Sequence, residues 1–402
     1  MRRPIVAHIT TIDLSLRYLL LNQLQSIRSA GYEVVGISAP GPDVPAIERA
    51  GIRHIAVPMT RHLTPWADLN ALIQLYRLMR RERFTIVHTH TPKPGLLGQI
   101  AARLAGVPIV VNTLHGFYFH EHMRPATRRF YIAMEKIAAS CSDKILSQNS
   151  EDIQTAIREG ICPSDKIMHL GNGVDLTIFD PKRYSVVERR RHRTKAGIPK
   201  DAKVVGFVGR LAAKRKGFLD FLKAAEQLVK TIPNVYFLIV GDADYGKPDA
   251  VDPTVAKDYG IWDRCHFLGQ RPNAELPHWY ALMNVLVLPS LFEGVPRVVM
   301  EASAMGVPVV ATDVKGNREA VAQGQSGLLV PLGDVQLLAD TIAELLADRE
   351  RAQQMGAIGR CLAMERFDEQ QVFDRVKAEY IRLLHQKGLP PPEPQSLWAR
   401  IS

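Results

Sequence analysis

Residues 285–312 have the sequence VLVLPSLFEGVPRVVMEASAMGVPVVAT, in which two short apolar runs flank one longer segment. The runs Val285–Pro289 and Val307–Ala311 have the composition and length of buried strands. The segment between them has helical spacing, and Pro296 suits the first turn of a helix because its missing N–H costs nothing there. A strand, a helix and a second strand in this order predict a parallel pair within an α/β sheet.

The same alternation extends along the whole chain in two series. The first series of expected strands comprises Ile5–Ile9, Glu33–Ser38, His54–Val57, Phe84–His88, Pro108–Asn112 and Lys144–Ser147. The second comprises Lys203–Val208, Val235–Val240, Val285–Pro289, Val307–Ala311 and Leu328–Val330. Helical patterns separate the strands, so the sequence predicts an α/β protein with two doubly wound parallel sheets covered on both faces.

The two series define the expected domain organisation. We expect an N-terminal domain at 1–185, a second domain at 186–370, a C-terminal helix at 371–388 and a tail at 389–402, with the junction near residues 175–200. The tail contains the Pro-rich stretch Leu389–Pro394.

The loop after the strand at 285–289 has the features of an anion site. Ligands of open α/β sheets bind outside the carboxyl ends of the strands, where loops lead into helices. Free backbone amides around Gly294, Val295 and Arg297 would face an anion there, aided by the helix dipole. A diphosphate is the natural ligand of such a loop.

Glu301 lies in the apolar stretch that follows this loop. A carboxylate in apolar surroundings is costly unless a donor satisfies it. Ribose hydroxyls and an internal arginine are both open as that donor, and the companion Glu293, eight positions earlier, favours the ribose.

The loop after the first strand of the second series carries two cations. Arg210 and Lys216, six residues apart, can clamp the two phosphates of one leaving group, and glycines such as Gly209 allow close backbone approach. A Gly/Lys-rich surface turn is the open alternative. The first loop of the N-terminal half, Thr10–Ser15, lacks a G-x-G-x-x-G, which removes most support for NAD-type oxidoreduction.

In combination and in order, these motifs resemble the large retaining GT-B-fold glycosyltransferase family, the fourth in the usual sequence classification. The resemblance rests on Gly209-Arg210…Lys216-Gly217, the E-x7-E pair Glu293…Glu301, Gly316-Asn317-Arg318-Glu319 and Ser326–Val330. It extends to Gly171–Asp175, Val87–His90 and Leu114-His115-Gly116, and so covers nearly the whole chain.

The resemblance implies a fold and a set of site residues. It implies two Rossmann-like domains that face each other across a cleft, with the C-terminal helix crossing back to the N-terminal domain. The implied roles are diphosphate binding by Arg210 and Lys216 beside Gly209, ribose binding by Glu301, sugar binding by Glu293 with the amides of Gly294 and Val295, sugar contact by His115, and lining of the base pocket by Leu268 within Phe267–Arg271.

One position departs from the family pattern. Members usually have Gly-Gly in the first loop, where this chain has Ile12-Asp13-Leu14. We therefore expect the Asp13 side chain to replace backbone contacts to the donor or acceptor at that loop.

The resemblance also implies an activity. The chain would move a sugar from a UDP- or GDP-sugar to a lipid-linked or saccharide acceptor, with retention, in cell-surface polysaccharide or glycolipid synthesis. No carboxylate pair suited to a double displacement is evident, so front-face attack is expected. A nucleotide-sugar epimerase of the same architecture and a non-catalytic nucleotide-sugar-binding protein are the alternatives.

The histidines raise the question of a metal. His115, His120 and His122 cluster near Glu121, but this spacing is not an established zinc pattern. Arg210 and Lys216 already supply positive charge for the phosphates. We therefore expect neither a metal nor another cofactor.

Composition bounds the remaining classes. The net charge of +10 is uneven, since residues 1–200 hold 28 Lys and Arg against 16 Asp and Glu, whereas residues 201–402 hold 23 against 25. The basic run at 181–200 suggests either nucleic acid or a solvated helix, and the lack of interleaved aromatics favours the helix. Four scattered cysteines fit a reducing cytoplasm, and no apolar run reaches the roughly 20 residues of a membrane-spanning helix.

A basic and aromatic segment follows His115. Arg124, Arg128 and Arg129 precede Phe130, Tyr131 and Met134 on an expected helix, a mixture that favours docking on the anionic cytoplasmic face of a membrane. The alternative is that the apolar side chains pack against the sheet and leave the arginines solvated.

Overall fold

A computed structural model of the chain describes residues 3–120 and 123–393. The strands in these ranges are β1 Ile5–Ile12, β2 Glu33–Ala39, β3 Arg53–Ala56, β4 Ile86–His90, β5 Ile109–Leu114, β6 Lys144–Ser147, β7 Ile167–His169, β8 Lys203–Val208, β9 Val235–Val240, β10 Cys265–Phe267, β11 Val285–Leu288, β12 Val309–Thr312 and β13 Gly327–Val330.

The α-helices are α1 Asp13–Ser15, α2 Leu21–Ser29, α3 Val44–Arg49, α4 Pro65–Glu82, α5 Pro92–Ala105, α6 Pro125–Cys141, α7 Ser150–Arg158, α8 Val186–Lys195, α9 Phe218–Thr231, α10 Leu276–Tyr280, α11 Arg297–Ala304, α12 Lys315–Ala320, α13 Val335–Ala347, α14 Arg349–Arg366 and α15 Glu369–Gln386. A π-helical turn at Leu16–Leu20 joins α1 to α2. Short 3₁₀ turns lie at Pro181–Arg183, Pro253–Lys257, Trp262–Arg264 and Asn273–Glu275.

The chain forms two compact units. The first contains the described residues up to Gly171 and those from Gln371 onward. Its sheet has the order β3-β2-β1-β4-β5-β6-β7, with every pair parallel. Side chains of α15, including Phe373 and Tyr380, are buried in the core of this unit with residues of β1, β4 and β5.

The second unit is Asn172–Gln370. Its parallel sheet has the order β10-β9-β8-β11-β12-β13 and carries a buried apolar cluster on each face. The prediction of an α/β protein with two doubly wound parallel sheets is confirmed.

The chain enters the second unit before the expected boundary at 185/186. The Val174 N–H donates to the Phe367 carbonyl at 2.9 Å, and Phe179 is buried in the core of the second unit. These contacts are distant in sequence, which is why composition near the junction does not reveal them. Residues 394–402 of the expected tail lie outside the described residues.

Two strands were absent from the predicted set, β7 and β10. Each has three residues and lies at an edge of its sheet. Edge strands of this length lack the continuous apolar run that marks a buried parallel strand.

Among the described residues, every helix is too short or too polar to cross a bilayer.

Candidate functional site

Two loops of the second unit contact each other at the carboxyl end of the sheet. One follows β8 and the other follows β11, and these strands are neighbours. The Leu291 N–H donates to the Arg215 carbonyl at 3.1 Å, and the Arg215 guanidinium lies 4.7 Å from the centre of the Phe292 ring. The parallel sheet thus joins the two loops that the sequence singled out separately.

Lys216 and Glu293 meet where the loops join. Lys216 Nζ donates to Glu293 Oε1 at 2.6 Å, and Ser290 Oγ donates to the same oxygen at 2.7 Å. Both partners are largely shielded from solvent, with 21% and 11% of their side chains exposed. A charge-assisted bond in such a place fixes the positions of both loops.

Glycines make this close approach possible. Gly217 has a φ of +66°, and a Cβ there would collide with the Pro289 carbonyl. A Cβ on Gly316 would collide with the Gly294 carbonyl oxygen, so α12 also packs directly on the loop after β11. Glycine is required at these positions because a side chain would occupy the space of another backbone segment.

The helix α11 begins at Arg297, so Pro296 occupies the N-cap rather than the expected first turn. Pro296 supplies no side-chain hydrogen bond as a cap. The Val295 carbonyl before it accepts from Asn172 Nδ2 at 3.2 Å.

Arg210 lies beside two carboxylates that the sequence interpretation missed. Its Nη1 is 3.5 Å from Asp244 Oδ2 and 4.0 Å from Asp249 Oδ1. The Gly209 N–H before it donates to the Val240 carbonyl at 2.9 Å. No local spacing relates Arg210 to Asp244, because helix α9 and strand β9 lie between them in the sequence.

Leu268 lies just beyond the carboxyl end of β10. Its N–H donates to the Ile239 carbonyl at 2.9 Å, and its carbonyl accepts from Arg271 Nε at 3.0 Å. Gly241 at the end of β9 donates to the Gly269 carbonyl at 2.9 Å. The strands that carry Gly209 and Leu268 are thereby linked through β9.

Glu301 is buried on α11, with 3% of its surface exposed. The Tyr280 hydroxyl donates to Oε2 at 2.9 Å, and Arg297 Nε lies 3.7 Å from Oε1. Burial raises the pKa of Glu301, although Arg297 and Tyr280 act in the opposite direction. The internal arginine considered from the sequence is therefore present, yet a carboxylate accepts about four hydrogen bonds and has capacity for ribose hydroxyls as well.

His115 of the first unit lies at the end of a row of buried imidazoles. His90 Nδ1 is 3.1 Å from His115 Nε2, and His8 Nδ1 is 3.0 Å from His90 Nε2. Tyr380 on α15 lies 3.3 Å from His8 Nε2 and 2.5 Å from His88 Nδ1 through its hydroxyl. Alternation on β4 puts His88 and His90 on one face, beside His8 of β1.

Burial keeps these imidazoles neutral. It lowers the pKa of His8 to about 3, and it lowers the pKa values of His88 and His90 well below the ordinary range. Burial also lowers the pKa of His115 to about 4, against an opposing hydrogen bond with Gln148. His8 lies far from the other histidines along the chain, so the sequence alone does not reveal that it joins this group.

The histidine cluster that the sequence analysis considered and set aside as a metal site cannot be assessed from the described residues, since Glu121 and His122 lie outside them. A different group, His8, His88 and His90, has ring nitrogens within 4.8 Å of one another.

Asp13 has backbone partners within the first unit. Its Oδ1 accepts from the Leu14 N–H at 2.9 Å and its Oδ2 accepts from the Asp43 N–H at 2.7 Å. The carboxylate thereby holds the turn after β2 against the start of α1.

The segment expected to dock on a membrane is divided between surface and core. Arg124, Arg129 and Phe130 are exposed. Arg128 instead pairs with Glu159 at 2.7 Å, and Tyr131 packs against a buried cluster. The helix α8, formed by the basic run after residue 181, has no fully buried residue, and its Arg193 donates to the Leu282 carbonyl at 2.9 Å.

Comparison with known proteins defines the class. Residues 18–178 match the model described as Glycosyltransferase Family 4, and residues 188–361 match the one described as Glycosyl transferases group 1. The chain belongs to glycosyltransferase family 4, and its two parallel-sheet Rossmann-like units are those of the GT-B fold.

Individual relatives cover most of the chain. It is 33% identical over 302 residues, 74% of this chain and 76% of the relative, to the Escherichia coli UDP-Gal:alpha-D-GlcNAc-diphosphoundecaprenol alpha-1,3-galactosyltransferase. It is 28% identical over 391 residues, 94% of this chain and 97% of the relative, to the Staphylococcus aureus capsular polysaccharide biosynthesis glycosyltransferase CapM.

Among solved structures, Anabaena HepE in complex with UDP and glucose matches with a TM-score of 0.79 and 22% identity, over 94% of this chain and 99% of that one. A Rickettsia africae glycosyltransferase matches with a TM-score of 0.75 and 18% identity, over 96% of this chain and 99% of that one. These matches show the fold.

Proposed function

We propose that the protein transfers a hexose from a UDP-sugar, with retention of configuration, to a lipid-linked acceptor in the synthesis of a cell-surface polysaccharide or glycolipid. The Escherichia coli relative is named for a UDP-Gal donor and a diphosphoundecaprenol-linked acceptor. The Staphylococcus aureus relative is named for capsular polysaccharide synthesis. The first name supports a nucleotide-sugar donor and a lipid-linked acceptor for this chain, and the second supports a role in polysaccharide synthesis.

The observation that carries the proposal is the Lys216 to Glu293 contact between the two loops of the second unit. It places a cation and a carboxylate side by side at the carboxyl ends of β8 and β11, where α/β sheets bind ligands. A bound diphosphate would compete for Lys216 and release the Glu293 carboxylate toward the sugar. Gly294 and Val295, before the α11 N-terminus, would add backbone donors.

The reaction that fits these residues is a front-face substitution. The bond from the anomeric carbon to the phosphate oxygen breaks, the acceptor hydroxyl oxygen bonds to the same face, and its proton passes to the departing phosphate. Lys216 and Arg210 stabilise the charge that develops on that phosphate. Glu293 orients the sugar, Glu301 holds the ribose, Leu268 lines the base pocket and His115 contacts the transferred sugar.

A lipid-linked acceptor lies in a membrane, so we also propose that the protein acts at the cytoplasmic face of an anionic bilayer. Two helices of the first unit support this proposal. On α6, Arg129 and Phe130 are exposed, as is Arg124 immediately before the helix. On α4, an apolar row at helical spacing faces solvent, formed by Trp66, which is 86% exposed, with Leu69, Ile73 and Tyr76.

The basic end of α4 reinforces that support. Arg77 and Arg80 are exposed beyond the apolar row. The two acidic residues of the helix are engaged, Asp68 by Lys93 and Glu82 by Arg53. Exposed aromatic and basic side chains on one helix match the apolar boundary and anionic headgroups of a lipid surface.

The proposal is tested with purified protein, a set of UDP- and GDP-hexoses, and a polyprenyl-diphosphate-linked sugar as acceptor. We expect acceptor-dependent release of UDP, an α-configured product by NMR from an α-configured donor, and turnover that persists in EDTA. A β-configured product would exclude retention. Conversion of the donor sugar without acceptor would indicate an epimerase, and donor binding without turnover would indicate a non-catalytic binding protein.

A further inference from the structure

The buried imidazoles of the first unit form one unbranched hydrogen-bond chain. Its members, named here the histidine chain, are His115, His90, His8, Tyr380, His88 and Thr113 in order of contact. The last link joins His88 Nε2 to Thr113 Oγ1 at 2.7 Å. Both nitrogens of His8, His88 and His90 are engaged in these links.

Such a chain permits only two proton patterns while its imidazoles are neutral. A neutral imidazole has one N–H and one lone pair, so each ring that donates on one side accepts on the other. The link between His8 and His90 joins Nδ1 to Nε2, and so does the link between His90 and His115. The chain is therefore satisfied when all four histidines carry the proton on Nδ1, or when all four carry it on Nε2.

Gln148 lies at the open end of the chain, where it can select between the two patterns. It shares a side-chain hydrogen bond with His115, and its amide oxygen can accept from a ring N–H. Since His115 Nε2 faces His90, the bond to Gln148 belongs to Nδ1. Thr113, a hydroxyl, completes the pattern at the other end as the donor to His88.

The same geometry disfavours a metal. Ring nitrogens of His8, His88 and His90 lie within 4.8 Å of one another, but each of these nitrogens already takes part in a link of the chain. A tetrahedral ion at about 2.0–2.1 Å would also need lone pairs that already accept hydrogen bonds in the chain.

We propose that the histidine chain holds His115 as the neutral Nδ1–H tautomer, and that Tyr380 is a positioning residue that continues the chain from His8 to His88. His115 then offers a hydrogen-bond donor, now given to Gln148, to a sugar hydroxyl that displaces Gln148. Its Nε2 lone pair is occupied by His90, so His115 does not take the acceptor proton. This inference rests on the proposed role of His115 in sugar binding, and it agrees with proton transfer to the departing phosphate.

The first test is the side-chain ¹⁵N spectrum of the full-length protein with labelled histidine at neutral pH. Imidazole in water favours the Nε2–H tautomer, and we expect the opposite form for His8, His88, His90 and His115, assigned by loss of signals in single His→Asn variants. One of the four in the Nε2–H or protonated form would overturn the proposal. A shift of these signals on zinc addition would show that the histidines bind a metal ion, which would overturn the proposed hydrogen-bond chain.

The second test compares Tyr380→Phe with Tyr32→Phe. The two rings lie 5.9 Å apart in the same core, but the Tyr32 hydroxyl has no hydrogen-bond partner among the described residues. In Tyr380→Phe we expect His88 to switch to Nε2–H, now donating to Thr113, and kcat to fall about three- to tenfold with an unchanged donor KM, as loss of one buried partner predicts. Tyr32→Phe should leave the His88 tautomer and kcat unchanged.

The outcomes separate this inference from the proposed function. Unchanged tautomers and unchanged kcat in Tyr380→Phe would remove Tyr380 from any positioning role. The spectrum of the unmodified protein requires no substrate, so it decides the tautomers even if Tyr380→Phe does not fold. A protein with the expected spectrum but without transfer activity would instead count against the proposed function.

Discussion

At the scale of single residues, the contact between Lys216 and Glu293 gives the most specific test of the proposed donor site. We expect Lys216→Ala to raise the donor KM by about ten- to a hundredfold, because a charged hydrogen bond to phosphate contributes about 1.5–3 kcal/mol. Lys214→Ala is the matched control, since Lys214 is exposed on the same loop. Steady-state kinetics with varied donor measures both, and equal effects would show that general loop charge matters rather than this contact.

Glu301 gives a prediction about stability without substrate. Burial raises the pKa of Glu301, so the folded state binds its proton more tightly than the unfolded state does. The resulting stabilisation is complete below the ordinary glutamate value and is lost as pH rises through the raised pKa. We therefore expect Glu301→Gln to gain in Tm relative to the unmodified protein as pH increases from about 4.

Thermal unfolding of the ligand-free protein across this pH range measures that difference. Parallel Tm curves for the two proteins would mean that the Glu301 carboxylate is as well solvated when folded as when unfolded. Loss of donor binding in the same variant is a separate observation that concerns the ribose contact.

At the scale of elements, the packing of the β8 loop on the β11 loop depends on Gly217. Gly217 and Gly260 have φ values of +66° and +65°, but a Cβ at Gly260 meets nothing within 4 Å. Alanine at either position costs about 1–2 kcal/mol of backbone strain. We expect Gly217→Ala to cost at least a further 2 kcal/mol, on the order of a strongly overpacked site.

Urea unfolding of the two glycine variants isolates the steric contribution, because the backbone strain is common to both. A difference near zero would mean that the two loops separate without cost, which would count against a preformed donor site.

The helix α4 gives a prediction about membranes. We expect the protein to sediment with vesicles that contain phosphatidylglycerol and not with neutral vesicles, and Arg77/Arg80→Glu to abolish this binding. Each basic residue near an anionic surface contributes about 1 kcal/mol, so two reversals cost at least about 2 kcal/mol. Trp66→Ser should weaken binding as well, through lost apolar insertion.

Arg190/Arg191→Glu on α8 is the matched control, because it makes the same change in net charge on another exposed helix. If both double variants lose binding equally, the attraction reflects net charge and not α4. Binding by Arg77/Arg80→Glu, with loss in Arg124/Arg129→Glu, would assign the contact to α6.

The sequence predicted most strands and helices, because the signals that mark them lie within short segments of the chain. Strands such as β8, β9 and β6 have the predicted bounds, because apolar runs and helical spacing are local signals. The residues that meet at the candidate site, in contrast, come from segments far apart in the sequence. Tyr280, which bonds Glu301, ends α10, and Asp244, which lies beside Arg210, is in the loop after β9; only the fold brings these residues together. Family resemblance supplied roles for Lys216 and Glu293 without revealing their contact.

At the scale of the whole molecule, the chain leaves its first unit and returns to it. The returning helix α15 supplies Phe373, Val376, Tyr380, Leu383 and Leu384 to the core of that unit. Removing about five such side chains costs several kcal/mol each, more than the whole stability of a typical domain. We expect a chain ended after residue 370 to lose the first unit while the second still unfolds cooperatively, as a single remaining transition in calorimetry would show.

The return of α15 also constrains how the protein is made. A ribosome releases the seven strands of the first sheet early, but the Tyr380 hydroxyl that joins His8 to His88 is made only after the whole second unit. The second unit, whose residues are contiguous from Asn172 to Gln370, has no such delay. The core of the first unit therefore stays incompletely packed until α15 is made, so the unit that is translated first reaches its native state after the second.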